Sequence, residues 1–259
     1  MRADQRSDAV ADAPSKVPRA TVAFWVVKIL ATTLGETGGD ALSMTLNLGY
    51  AMSTLIFLAF FGFALALQVK SRRYQPVFYW LVVVATTTVG TTASDYFDRT
   101  LGLGYVKSSL ILFCAVLAVL ALWRRSTGVI AVDHVTTREN ETFYWLTILI
   151  SNTLGTALGD FVATSTGLGF ERGALVFAGL IALVALARFL TRTSAAVLFW
   201  AAYVLTRPLG ATLGDTLTKP TAEGGLNLGR VASSLAMAGA MIVLVAVTPL
   251  RKRPLPVSA

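Results

Sequence analysis

The sequence predicts an all-α, polytopic membrane protein of about eight transmembrane helices, arranged as four parallel-related two-helix repeats. Three observations carry this. Of the 259 residues, 55% are hydrophobic and only 14% charged. Apolar runs long enough to span a bilayer recur along the whole chain. Finally, Trp, Gly and Asp return at one spacing in four successive copies. A soluble domain carries about a quarter charged residues because water must solvate its surface. A chain with a mean hydropathy of +0.67 keeps most of its surface against lipid or other helices. About eight spans leave about 32 residues for each helix and loop, of which a spanning helix needs roughly 20. No large soluble domain fits in the remainder.

The first 20 residues, MRADQRSDAVADAPSKVPRA, are polar, mix both charge signs and contain Pro14 and Pro18. They lack the apolar run and small-residue cleavage site of a secretory signal peptide, and are expected to form a flexible cytoplasmic tail. A single membrane domain then covers 21–250, with repeats at about 21–70, 76–125, 141–192 and 194–250, and a second cytoplasmic tail at 251–259. Within the domain, apolar runs fall near 21–42, 48–68, 77–97, 103–123, 142–162, 172–190, 194–215 and 229–249.

The breaks between runs differ sharply in charge. On one side lie Arg2, Arg6, Lys16, Arg19, Lys70, Arg72, Arg73, Arg124, Arg125, Arg138, Arg188, Arg192, Arg251, Lys252 and Arg253. The other side has only Arg99, Lys107, Arg172, Lys219 and Arg230. The positive-inside rule puts both termini in the cytoplasm, with the plasma (inner) membrane of a bacterium as the expected location. The net charge of +8 is thus a topology signal, not a nucleic-acid footprint. The lone Cys114 lies in LILFCAVLAVL, which excludes a disulfide scaffold or a thiolate metal cluster. The lone His134 sits in the polar connection IAVDHVTTRENE and reads as solvated.

The repeat is exact in its spacing. Trp25, Trp80, Trp145 and Trp200 are each followed ten residues later by Gly35, Gly90, Gly155 and Gly210, and fifteen later by Asp40, Asp95, Asp160 and Asp215. A Leu-Gly pair precedes each second helix, and the fourth copy is longer there (KPTAEGGLNLG). Each copy crosses twice, so the four motif helices run the same way. The Trp is expected at the cytoplasmic interface. The Asp lies about 22 Å further along, at 1.5 Å per residue. In KILATTLGETGGD, VVATTTVGTTASD, LISNTLGTALGD and VLTRPLGATLGD the chain resembles bacterial membrane proteins of unknown function made of four tandem two-helix repeats, with a marker Trp in each. The resemblance runs from Trp25 to about residue 249 and implies the architecture, not a chemistry.

Residues four apart share a helix face. The first motif helix carries Lys28, Thr32, Glu36 and Asp40; the second Val83, Thr87, Thr91 and Asp95; the third Ile148, Asn152, Thr156 and Asp160; the fourth Tyr203, Arg207, Ala211 and Asp215. Beside each stripe run small residues four apart: Gly35 and Gly39, Gly90 and Ser94, Gly155 and Gly159, Gly210 and Gly214. Such pairs let helices approach closely in lipid. Pro208 is expected to kink or locally open the seventh helix.

Ionisable groups in a bilayer are costly and turn inward, pair or line water. Counting the stripes alone, five carboxylates face two cations, Lys28 and Arg207, which are the groups available to neutralise Glu36 or its neighbours and to act as gates or internal counter-charges. That excess suits a small cation or a proton relay. The oxygen-bearing set Asp40, Asp95, Asp160, Asp215, Glu36, Asn152, Thr32 and Thr156 suits hard cations. If a metal binds, Asp40, Asp95, Asp160, Asp215 and Glu36 are its ligands. The expected role is a transporter or channel-like permease for a small cation or proton-coupled solute. The alternative is a non-transporting scaffold or accessory subunit whose polar stripe is structural. No P-loop, GxGxxG, HExxH, CxxC or GxSxG string occurs, and no nucleophile–base pair is evident, so neither an enzyme nor a cofactor is expected. The partners expected are the bilayer and a small cation, without nucleic acid.

Overall fold

The computed structural model describes residues 16–18, 20–71, 73–130, 135 and 137–248. Both expected tails lie outside these residues, apart from 16–18 and 20, as does His134. Eight α-helices occur among the described residues: α1 (Val22–Asp40), α2 (Gly49–Lys70), α3 (Pro76–Asp95), α4 (Tyr105–Thr127), α5 (Arg138–Asp160), α6 (Phe170–Leu190), α7 (Ala195–Thr218) and α8 (Arg230–Val247). Seven of them are long and apolar enough to cross a membrane. The exception is α1, because Lys28, Glu36 and Asp40 interrupt it, yet all three side chains are buried. The fold is an all-α polytopic membrane fold.

Local chemistry sets the helix limits. Thr21, Thr137 and Ser194 cap α1, α5 and α7 by accepting from Phe24, Asn140 and Val197 N–H groups, and Pro76 opens α3. In the first three copies the α-helix ends at the motif Asp and passes into a π-helical turn, at Ala41–Thr45, Tyr96–Thr100 and Phe161–Ser165. The fourth copy has no such turn among the described residues. There α7 continues to Thr218, and its longer connection holds a 3₁₀ turn at Thr221–Glu223. The glycine of each Leu-Gly pair takes a positive φ, between 72° and 79° at Gly49, Gly104, Gly169 and Gly229. Only glycine adopts that conformation freely, which accounts for its return in every copy.

The motif helices α1, α3, α5 and α7 form a closed inner ring in which each packs on the next and α7 packs back on α1. The second helix of each copy lies outside and seats on the motif helix of the following copy: α2 on α3, α4 on α5, α6 on α7 and α8 on α1. The small residues set the ring spacing. A Cβ on Gly35, Gly90, Gly155 or Gly210 would collide with Thr87, Asn152, Arg207 or Thr32 respectively. Each glycine therefore receives the stripe residue of the next copy, and the fourth receives that of the first. The helix α7 continues through Pro208, whose Cδ packs where a Gly155 Cβ would lie. The edge of the expected tail also joins the bundle, because Lys16 is paired with Glu141 at 2.8 Å.

Candidate functional site

Because the stripe residues stand every four positions on four parallel helices, the ring interior is a stack of four-residue layers. The first comprises Phe24, Tyr79, Tyr144 and Phe199, one residue before each marker Trp. Each ring of this layer meets the Trp of the following copy: Phe24 with Trp80 at 5.6 Å, Tyr79 with Trp145 at 5.6 Å, Tyr144 with Trp200 at 5.7 Å and Phe199 with Trp25 at 5.6 Å between centroids. The Tyr79 and Tyr144 hydroxyls share a hydrogen bond of 2.8 Å. Trp80, Trp145 and Trp200 are buried inside the bundle. They close one end of the ring through edge and tilted ring contacts.

The second layer holds Lys28 with Val83, Ile148 and Tyr203, all fully buried. Lys28 does not neutralise Glu36. The two stand eight residues apart on one helix, about 12 Å at 1.5 Å per residue, beyond the reach of a lysine stem. Its Nζ instead lies over the Tyr203 ring, 4.2 Å from the centroid.

The third and fourth layers are tied together by Arg207. Its Nη2 meets Glu36 Oε2 at 2.9 Å and donates to Thr91 Oγ1 at 2.6 Å and Thr156 Oγ1 at 2.7 Å. One guanidinium thus joins all four inner helices. The opening is supplied by Ala211, whose small side chain leaves its quadrant to the arginine from one turn below. Thr32 and Asn152, expected among the cation ligands, face neighbouring helices. Thr32 donates to the Thr206 carbonyl at 3.1 Å, and Asn152 Nδ2 donates to Thr86 Oγ1 at 3.0 Å.

The fifth layer brings together Asp40, Asp95, Asp160 and Asp215, each buried. Here the charge count from the stripes alone needs correction, because three cations from outside the stripes enter the layer. Arg99 reaches Asp95 at 3.0 Å and Asp160 at 3.5 Å. Lys219 reaches Asp215 at 3.2 Å and Asp40 at 3.5 Å, and Arg230 reaches Asp40 at 3.4 Å. Four cations, Arg207, Arg99, Lys219 and Arg230, therefore meet the five stripe carboxylates, and Lys28 meets none of them. Burial opposes the Lys219 charge, but Asp215 and Asp40 outweigh it and hold the ammonium above the ordinary lysine range. Two of these cations were legible as chemistry: Arg99 and Lys219 each stand four residues after a motif Asp, one helical turn on. Arg230 follows the fourth Leu-Gly pair and carries no comparable signal.

Of the five proposed metal ligands, Glu36, Asp40 and Asp215 bring carboxylate oxygens within 4.8 Å of one another. Asp95 and Asp160 turn instead to Arg99. The carboxylate trio is able to share a proton or to grip a small hard cation from one side, with Lys219 and Arg207 close by.

A family model described as Repeat of Unknown Function (DUF347) matches the chain four times, over residues 23–74, 78–128, 143–194 and 198–253. These segments coincide closely with the four copies read from the Trp spacing. Neither a curated protein nor a solved structure matches the chain.

Proposed function

The chain belongs to the DUF347 repeat family, and from there we propose that it is a permease. A small solute moves along the axis of the inner ring, coupled to a proton or small cation at the outer carboxylates. The observation that carries this reading is the trio Glu36, Asp40 and Asp215, buried on the axis with oxygens within 4.8 Å. Carboxylate oxygens that close suit a small hard cation or a proton held between them. In a polytopic membrane protein such groups are expensive and mark ion or proton paths. Glu36 is the coupling group. Protonating it removes the charge that holds Arg207 at 2.9 Å, so that Arg207 acts as the gate across the axis. The aromatic layer closes the opposite end. The Lys and Arg asymmetry supports a cytoplasmic position for that end and for both termini, in a bacterial inner membrane.

The test is flux in proteoliposomes with a panel of monovalent and divalent cations and a pH dye, run on wild type, Glu36→Gln and the Asp40/Asp95/Asp160/Asp215→Asn variant. Flux lost in folded Glu36→Gln supports the coupling role. Unchanged flux in the quadruple variant removes the outer carboxylates from the mechanism. A second reading is favoured by the ion pairs: each motif Asp meets a cation at 3.0–3.5 Å, as a structural clasp would. A non-transporting scaffold predicts variants that lose stability and a wild type that moves nothing.

A further inference from the structure

We infer that the layer on the aromatic side of Arg207 holds a small monovalent anion between Lys28 and Arg207. The inference deepens the permease reading, on which it rests, by naming the class of solute.

Lys28 is fully buried and its Nζ makes no hydrogen bond. No carboxylate lies within 4.0 Å of it among the described residues. Its Nζ lies against the face of Tyr203. Arg207 is also fully buried, and all its hydrogen bonds leave from Nη2, while Nε and Nη1 have no partner. Lys28 and Arg207 stand in adjacent layers of the ring, one helical turn apart along its axis. Among the described residues, Glu36 is the only carboxylate that either touches. With Lys28 protonated, two cations against one carboxylate leave one positive charge unmatched beside the buried Val83, Ile148 and Tyr203.

Buried charges persist when paired and hydrogen-bonded. The unmatched charge and unused donors on two side chains define an acceptor that is anionic, carries one charge and is compact. A halide or a three- or four-atom oxyanion such as nitrate or formate meets these terms through charge-assisted hydrogen bonds. A cation does not, since it would enter the positive half of the axis. With a proton on the Glu36, Asp40 and Asp215 trio, the pair moved is electroneutral.

The test uses the full chain in detergent, titrated with sodium chloride, nitrate or formate against sodium gluconate at constant ionic strength, reading thermal unfolding and heat of binding. A saturable response to the small anions and none to gluconate is expected. Lys28→Met is expected to weaken it at least tenfold, whereas Lys107→Met, at an exposed position, leaves it unchanged. Absence of a saturable response in the wild type overturns the inference, as does a chloride response that survives in Lys28→Met. If Lys28→Met does not fold, Lys28→Arg, which keeps a cation there, must retain the response; its loss in folded Lys28→Arg overturns the site. Proteoliposome flux separates the two claims. Anion binding without flux of any ion keeps the site and removes the permease reading. Cation flux without anion binding does the reverse.

Discussion

The two ends of the inner ring obey different symmetries. At the aromatic end all four copies contribute equally: a ring at 24, 79, 144 and 199 meets the Trp of the next copy at nearly constant distance. At the charged end the Asp is fourfold but its partners are not. Arg99 and Lys219 come only from the second and fourth copies, and each bridges its own Asp to that of the following copy. Between these ends the layers hold Lys28, Glu36, Asn152 and Arg207, each present once. Packing needs only shape, so duplication preserves it. Charge must be balanced, and four equal carboxylates on one axis cannot be, so the copies diverged where ionisable groups gather.

Substitutions at the two ends test that contrast. The largest effect is expected from Arg207→Met, which leaves Glu36 buried without its partner and costs about 3–5 kcal/mol. Thermal unfolding followed by Trp fluorescence reads it, and Glu36→Gln/Arg207→Met should recover most of the loss. Little recovery would mean that Arg207 acts through Thr91 and Thr156 rather than through charge. Next comes Trp200→Ala at the aromatic end, at about 3 kcal/mol. It is expected to cost the same in any salt, and a salt-dependent loss would tie this end to the charges. Gly90→Ala, whose Cβ meets the Asn152 and Thr153 backbone at 2.9–3.0 Å, should cost about 1–3 kcal/mol. An effect near zero would show that the ring is looser than its glycines imply. The smallest is Tyr144→Phe, removing one buried hydrogen bond for about 1 kcal/mol, measured by the same melt.

Much of this was readable beforehand. The recurrence of Trp, Gly and Asp at fixed offsets specified the parallel helices, their common depth and their shared inner face, because a period of four on a helix is a statement about direction. The glycines announced close approach, and the contacts at Gly35, Gly90, Gly155 and Gly210 follow. What escaped was whatever depends on reach between copies. Lys28 and Arg207 looked equivalent as partners for Glu36, yet only Arg207 approaches it, since Lys28 shares its helix. Arg99, Lys219 and Arg230 were counted as loop charges, although their stems fold back over the motif Asp. The aromatic residue ahead of each Trp was visible in the sequence, but its role needs the next copy beside it. Which helix an outer helix covers is a question of chain closure that spacing does not address.

That closure has a consequence for how the protein is made. The helix α1 carries Lys28, Glu36 and Asp40, and it is the one helix among the eight described that falls short of a self-sufficient span. It is also synthesised before everything that completes it. Arg207, which binds Glu36, lies 171 residues later, Lys219 reaches Asp40 across 179, and Arg230 across 190. The α8 helix that covers its outer face comes last among the described helices. Of the eight described helices, the first to be synthesised is therefore the least able to stay in lipid alone, and it waits for the last of them. Assembly of such long-range contacts is slow and leaves partners exposed meanwhile. A nascent chain stalled before α7 would hold an unmatched lysine and two carboxylates in the bilayer, a natural mark for membrane quality control.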